Sequence, residues 1–215
     1  MINFDQSDAK GILSLYEKEY LENLNHYIMI SSFFVYNYFD YQIFSEKKLD
    51  RNYDQSHIDG YTKRKIESEI TLYSSKLMNI TTILRLPFIF SSDDYSNRFQ
   101  NLCKFVLANQ KLIAKDSFKY SLLRKCDAAE AIIKAMHLNP IGITDLSNPG
   151  CVTNKQLINE LKNVLTSYQG NLIPEEGSFP YSVNRNICLS SKKLTVELHV
   201  SDALRAEAES WLLLK

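Results

Sequence analysis

Short runs of continuous apolar residues alternate along this chain with longer stretches whose apolar positions recur every three or four residues. Residues 5–8 can turn into a helix whose apolar face is Ile12, Leu13, Leu15, Tyr16, Tyr20, Leu21 and Leu24. Tyr27 to Ile30 is a short apolar run of the kind that forms a strand buried on both faces. From Tyr61 to about Lys76 the period is helical, with Ile66, Ile70 and Tyr73 on one face, and residues 80–90 open β-branched and apolar as a second buried strand. Helical patterns follow over 99–109 and 128–137, then a short strand over 142–146. Residues 153–165 read as a helix capped by Thr153, with Gln156 in the capping-box position, and residues 201–214 as a last helix capped by Ser201 or Asp202. Ile2-Asn3-Phe4 reads as the end of a strand, 37–60 as a loop, and 170–186, with two glycines and two prolines, as irregular.

Strands and helices thus take turns up to residue 147. That order predicts a parallel sheet covered by helices, an α/β fold. A chain of 215 residues can bury a substantial core.

Composition narrows the function classes. Basic and acidic residues balance at 25 each, with no long run of one sign, so no electrostatic footprint for nucleic acid or an anionic membrane is present. No stretch approaches the ~18 apolar residues of a membrane span, and the N-terminus lacks the pattern of a secretory signal. The four cysteines, Cys103, Cys126, Cys151 and Cys188, form no C-x-x-C pair, so neither zinc nor a redox motif is indicated. Buried thiols in a reducing cytoplasm are the expectation. The four histidines are scattered and show no ligand spacing.

Candidate chemistry lies in two segments. The strand from Ile28 runs into Ser31 and Ser32, and the helix from Tyr61 carries Lys65 one turn on. Residues i and i+4 share a helix face, so the phenol and the ammonium point the same way. A phenol has a reference pKa near ~10, too high for a base at neutral pH, and a neighbouring ammonium favours its ionised form. A serine at the end of the adjacent strand can hydrogen-bond a substrate oxygen where charge develops. Together these are the parts of a proton relay for alcohol and ketone chemistry. Among 13 tyrosines, a Y-x-x-x-K spacing arises by chance about once, so its context between buried strands carries the argument.

Ser31-Ser32-x-x-Val35-Tyr36, Tyr61-x-x-x-Lys65-x-x-x-Glu69 and Thr82-Ile83-Leu84-Arg85-Leu86-Pro87-Phe88-Ile89-Phe90 resemble successive blocks of the extended short-chain dehydrogenase/reductases, the NAD-dependent epimerase/dehydratase family. Lys125-Cys126-Asp127-Ala128-Ala129 resembles that family's Val-Asp-Asp-x-Ala block, Thr144-Asp145-Leu146-Ser147 its Tyr-Asn-Leu-Ser strand, and Val152-Thr153-x-x-x-Leu157 its following helix. The resemblance implies a partial doubly wound, Rossmann-like parallel sheet with a small C-terminal substrate-side lobe. Its core would span 1–90, and the lobe 91–215, with 120–147 returning to the core. It implies catalytic roles for Ser32, Tyr61 and Lys65. Tyr61 would be the acid/base, while Lys65 would hold the cofactor ribose and depress the Tyr61 pKa. Leu86, Pro87 and Phe88 would line the nicotinamide end of an NAD or NADP site. The implied partner is a nucleotide sugar or related polyol, and the reaction an epimerisation or reduction. By the same resemblance dehydration ranks last, because Phe33 and Phe34 stand where an acidic pair usually follows the catalytic hydroxyl.

The chain departs from the pattern in defined ways. The family's first strand, its G-x-x-G-x-x-G loop and its next two strands are expected to precede residue 1. The six glycines here, at 11, 60, 142, 150, 170 and 177, cannot make that loop. Asn37, Ser91-Ser92 and Phe88 replace residues usual in the family. Weak or absent activity of the chain by itself follows as an expectation. The alternative is a non-catalytic remnant that binds a partner, a second copy or a complementing chain, through an exposed sheet edge.

Blander roles apply elsewhere. Ser31 reads as structural. The aromatics Phe33, Phe34, Tyr36, Tyr38, Phe39, Tyr41 and Phe44 read as core rather than pocket. Lys47, Lys48 and Arg51 read as a solvated face, and Asp93-Asp94 as a loop.

Overall fold

The structure is a computed structural model, and it describes residues 6–38, 58–108, 118–165, 181, 183, 185–190 and 192–214. The readings of Ile2–Phe4, of most of the 37–60 and 170–186 loops, and of Phe39, Tyr41, Phe44, Lys47, Lys48 and Arg51 lie outside the described residues. Two compact units are formed. The first comprises 1–87, 129–146 and 189–195, the second 88–128, 147–188 and 196–215.

In the first unit, helix α1 (Gln6–Glu17) leads to strand β1 (Tyr27–Ser32), and helix α2 (Gly60–Tyr73) to strand β2 (Thr81–Leu86). Strand β5 (Gly142–Asp145) completes a parallel sheet of order β1-β2-β5. All six positions of β2 are buried, as expected for the central strand of a covered parallel sheet. Ala9, Ile12, Tyr27, Met29, Leu72, Leu77 and Ile83 form one core between the helices and this sheet. The register lines up Ser31 with Arg85 and Arg85 with Asp145, and Ser32 with Leu86. Parallel partners point to the same face, so Ser31, Arg85 and Asp145 make one lateral row.

The 80–90 run is two strands, not one. Pro87 has no N–H for a ladder and divides it. Strand β3 (Phe88–Phe90) belongs to the second unit, where it pairs in parallel with β4 (Leu122–Arg124). Helices α3 (Arg98–Leu107), α5 (Asn154–Leu165) and α6 (Val200–Leu213) build the rest of that unit, and α4 (Lys125–Leu138) has its first turn there.

The capping box expected at α5 is present. The Gln156 backbone N–H donates to Thr153 Oγ1 (3.2 Å), and the Thr153 N–H donates to Gln156 Oε1 (2.9 Å). The cap of α6 is instead His199, whose Nδ1 accepts from the Ser201 N–H (3.3 Å). An imidazole nitrogen is a less common cap than a hydroxyl or carboxylate, which is why the pattern pointed two residues too late.

The cysteines also require a correction. Cys151 and Cys188 are joined in a disulfide across 37 positions, with Cα atoms 5.9 Å apart. Widely spaced cysteines give no sequence signal for such a pairing, because the fold brings them together. Cys103 stays a buried free thiol, and Cys126 an exposed one.

Candidate active site

The carboxyl end of β1 and the first two turns of α2 meet in the first unit. Asp59 caps α2, accepting from the Thr62 N–H (2.9 Å) and the Thr62 hydroxyl (2.7 Å). Burial raises the Asp59 carboxyl, but these donors outweigh it and hold the group below its usual range. The cap fixes the first turn, and with it Tyr61.

Ser32 is the last residue of β1 and is 5% exposed. Its Oγ accepts the Phe34 N–H (3.3 Å), and its side chain lies near enough to the Tyr61 phenol to favour the ionised form. Tyr61 is the exposed member of the group at 46%. Lys65 is 4% exposed, its Nζ lies 5.8 Å from the centroid of the Tyr61 ring, and it donates to the Ile30 carbonyl (3.0 Å). The structure therefore gathers Ser32, Tyr61 and Lys65 at one end of the parallel sheet. Leu86 joins them as the register partner of Ser32, and buried Pro87 follows it. Phe88 opens the second unit, where its ring packs edge-on against Tyr120 and Tyr181, with centroids 5.8 and 5.4 Å away.

The electrostatics differ from the expectation in one respect. The Tyr61 phenol is raised above its ordinary value, not depressed. Partial desolvation of this half-exposed side chain is the largest cause, and the nearby Asp59 charge adds to it, while Ser32 and Arg64 act the other way. Burial likewise lowers the Lys65 ammonium, against the upward pull of Glu69 and Asp8.

Sequence reasoning gave no role to a set of buried polar residues beneath this site. Glu69 and Arg85 are both fully buried and form a two-point ion pair. Ser31 Oγ and Tyr73 Oη donate to Glu69, and Tyr36 Oη donates to Asp145 (2.8 Å) with its ring 4.7 Å from the Arg85 guanidinium carbon. Burial raises the phenols of both Tyr36 and Tyr73. The signal was present in the chain. Tyr61, Lys65, Glu69 and Tyr73 recur at i+4, and Arg85 is a lone charge inside an apolar strand.

These residues suit the reacting end of a nicotinamide cofactor: a phenol near a serine hydroxyl, with a buried ammonium on the same helix face. They do not supply a pyrophosphate cradle. Among the described residues no glycine-rich turn links a strand to a helix N-terminus, and the N-terminus of α2 is filled by its own Asp59 carboxylate.

No family model and no curated protein matches the chain. Solved structures do match it. The dTDP-glucose 4,6-dehydratase from Bacillus anthracis, crystallised with NAD, is 11% identical, with a TM-score of 0.67, and the match covers 97% of this chain and 67% of that one. UDP-N-acetylglucosamine 4-epimerase from Bacillus cereus is 16% identical, with a TM-score of 0.67, covering 97% and 74%. UDP-glucose 4-epimerase from Thermotoga maritima, solved with UDP-glucose, is 16% identical, with a TM-score of 0.66, covering 97% and 71%. The chain therefore has the Rossmann-like α/β fold of these three proteins and spans about two thirds to three quarters of their length. Among the described residues, no helix is long and apolar enough to cross a membrane.

Proposed function

We propose that the chain is an NAD(P)-dependent epimerase or reductase of nucleotide sugars or related polyols, with low activity by itself. The observation that carries this reading is the meeting of Ser32, at the end of β1, with the first turns of α2, where Tyr61 and Lys65 share one helix face. Bound NAD or NADP would supply hydride transfer. Tyr61 would exchange a proton with the sugar hydroxyl, and Ser32 would donate a hydrogen bond to the oxygen as its charge changes. Lys65 would donate to a ribose hydroxyl and lend positive charge near the phenol. Leu86 and Pro87 would exclude water beside them. Weak activity follows from the lack of a pyrophosphate cradle among the described residues, because those phosphates give the cofactor much of its affinity.

Saturation-transfer NMR with nicotinamide mononucleotide, NAD and NADP tests the reading at the reacting end of the cofactor. Transfer to the nicotinamide protons is expected in the wild-type chain and is expected to be lost in K65M. No transfer from any of the three, by a folded chain, would remove the enzyme reading.

A second reading has its own support. Among the described residues, β1 pairs on one side only, with β2. A strand at the edge of a parallel sheet can accept a strand from another chain. Analytical ultracentrifugation showing a concentration-dependent dimer would favour this reading, and a stable monomer would count against it.

A further inference from the structure

The face of α2 that carries Tyr61 and Lys65 continues inward to Glu69. Nothing in the proposed chemistry uses this residue, yet it is the centre of the buried polar row. Its carboxylate accepts from Ser31 Oγ, from Arg85 Nε (3.1 Å) and Nη2 (2.6 Å), and from Tyr73 Oη (2.9 Å). Three consecutive residues of β1 are thereby set against three positions of one helix face. Ile30 offers its carbonyl to Lys65 and Ser31 its hydroxyl to Glu69, and Ser32 lies near Tyr61.

Charge points the same way. Glu69 and Asp145 place two acidic side chains in the row against the one guanidinium of Arg85. A buried excess charge is costly unless a counter-charge lies near. Lys65, one turn before Glu69, is that cation. Among the described residues it also faces Arg64 and Tyr61 on α2, Asp8 on α1, and the Ile30 carbonyl on β1.

We propose that Glu69 is a positioning residue for the site: through Ser31 it fixes the strand end that presents Ser32, and it balances the Lys65 ammonium one helical turn away. The inference deepens the proposed oxidoreductase reading and rests on it for its catalytic meaning. Burial disfavours the Lys65 ammonium, and Glu69 is the foremost group acting to keep it charged. Arg85 holds the carboxylate in place from the opposite side.

The test follows acylation of individual lysines by trace acetic anhydride across a pH series, read by mass spectrometry on the full chain, with half-exposed Lys63 as the internal standard. In E69Q the Lys65 midpoint is expected to fall by about one pH unit, which makes Lys65 roughly tenfold more reactive relative to Lys63 below the midpoint. E69D keeps the charge and should restore the wild-type midpoint. A merely structural role would change the amplitude of labelling without moving the midpoint. An unmoved midpoint in folded E69Q overturns the proposal. Should E69Q not fold, the labelling compares E69Q/R85M with R85M, which differ only in the Glu69 charge, and an equal Lys65 midpoint in the two overturns the proposal.

S31A tests the strand-fixing half. There the ultraviolet titration midpoint of Tyr61 should rise as Ser32 moves away from it, and an unchanged midpoint overturns that half. Neither measurement needs nucleotide or sugar. A blank nucleotide titration would thus sink the enzyme reading while leaving the Lys65 result intact.

Discussion

Arg85 grips Glu69 at two points, Nε to Oε1 at 3.1 Å and Nη2 to Oε2 at 2.6 Å, with both side chains fully buried. Removing one partner strands the other charge without water. R85M should therefore cost about 3–5 kcal/mol of folding stability, while E69L/R85M, which removes both charges at similar volume, should cost much less. Urea unfolding midpoints of the two variants check this. Equal losses would mean that the pair is not the buried, desolvated unit described here.

The Tyr61 phenol should ionise above the ordinary tyrosine range in this chain, because partial desolvation dominates over the Ser32 side chain that favours the phenolate. Removing that hydroxyl in S32A should push the midpoint higher still. The difference in ultraviolet absorbance between wild type and Y61F across alkaline pH isolates this one residue. A step below the free tyrosine midpoint would contradict the placement of Tyr61.

His26 sets a pH dependence of stability. Its Nε2 lies 2.7 Å from Thr82 Oγ1, and burial lowers its pKa from the ordinary histidine value of 6.5. A lowered folded-state value means that the unfolded chain binds the proton first as pH falls. This part of the stability is therefore complete above 6.5 and declines as pH drops from 6.5 to the lowered folded value, below which it levels off. H26N should flatten thermal melting temperatures across that window. A slope identical to the wild type's would assign the dependence to another group.

The disulfide joining Cys151 to Cys188 closes a loop of 37 positions. A cross-link of that span restricts the unfolded chain by about 4 kcal/mol in the chain-entropy account. Reduction, or C188S, should lower the melting temperature. Iodoacetamide labelling of the unfolded, unreduced chain should modify Cys103 and Cys126 and spare this pair. Labelling of all four cysteines would rule the bond out.

The parts of the fold that were legible in the sequence are those with a local cause. β1, β2, β5 and the helices α1, α2 and α5 follow from runs and periods that each segment carries within itself. The position of Ser32 at a strand end and the i+4 spacing of Tyr61 and Lys65 were readable for the same reason. What could not be read depends on tertiary contacts. Arg85 gave no sign of its partner, because Glu69 lies 16 residues away and Asp145 is brought alongside only by sheet register. The sign of the Tyr61 shift was missed because desolvation is a property of the packed state, and it outweighs the local helix pairing. The break at Pro87 was readable in principle, since proline interrupts a ladder, but the apolar residues on both sides hid it.

Gly150 fixes the turn that leads towards α5. Its φ is +95°, and a Cβ there would lie 2.5 Å from His199 Nε2, 2.9 Å from Cε1 of the same ring and 3.1 Å from Val200 Cγ1. His199 caps α6, and the Val200 N–H donates to the Pro149 carbonyl (2.9 Å), so the turn and the helix start are in direct contact. G150A therefore demands a left-handed backbone from alanine and also displaces the capping ring. Left-handed strain alone costs about 1–2 kcal/mol, and loss of the cap adds about 1 kcal/mol. The variant should lose about 2–3 kcal/mol in urea unfolding, whereas H199A alone should lose only the capping share. In G150A/H199A the steric conflict with the imidazole is gone and only the backbone strain and the missing cap remain. The double variant should therefore be no less stable than G150A. A G150A variant that unfolds with the wild-type midpoint would show that the turn is not held in this conformation.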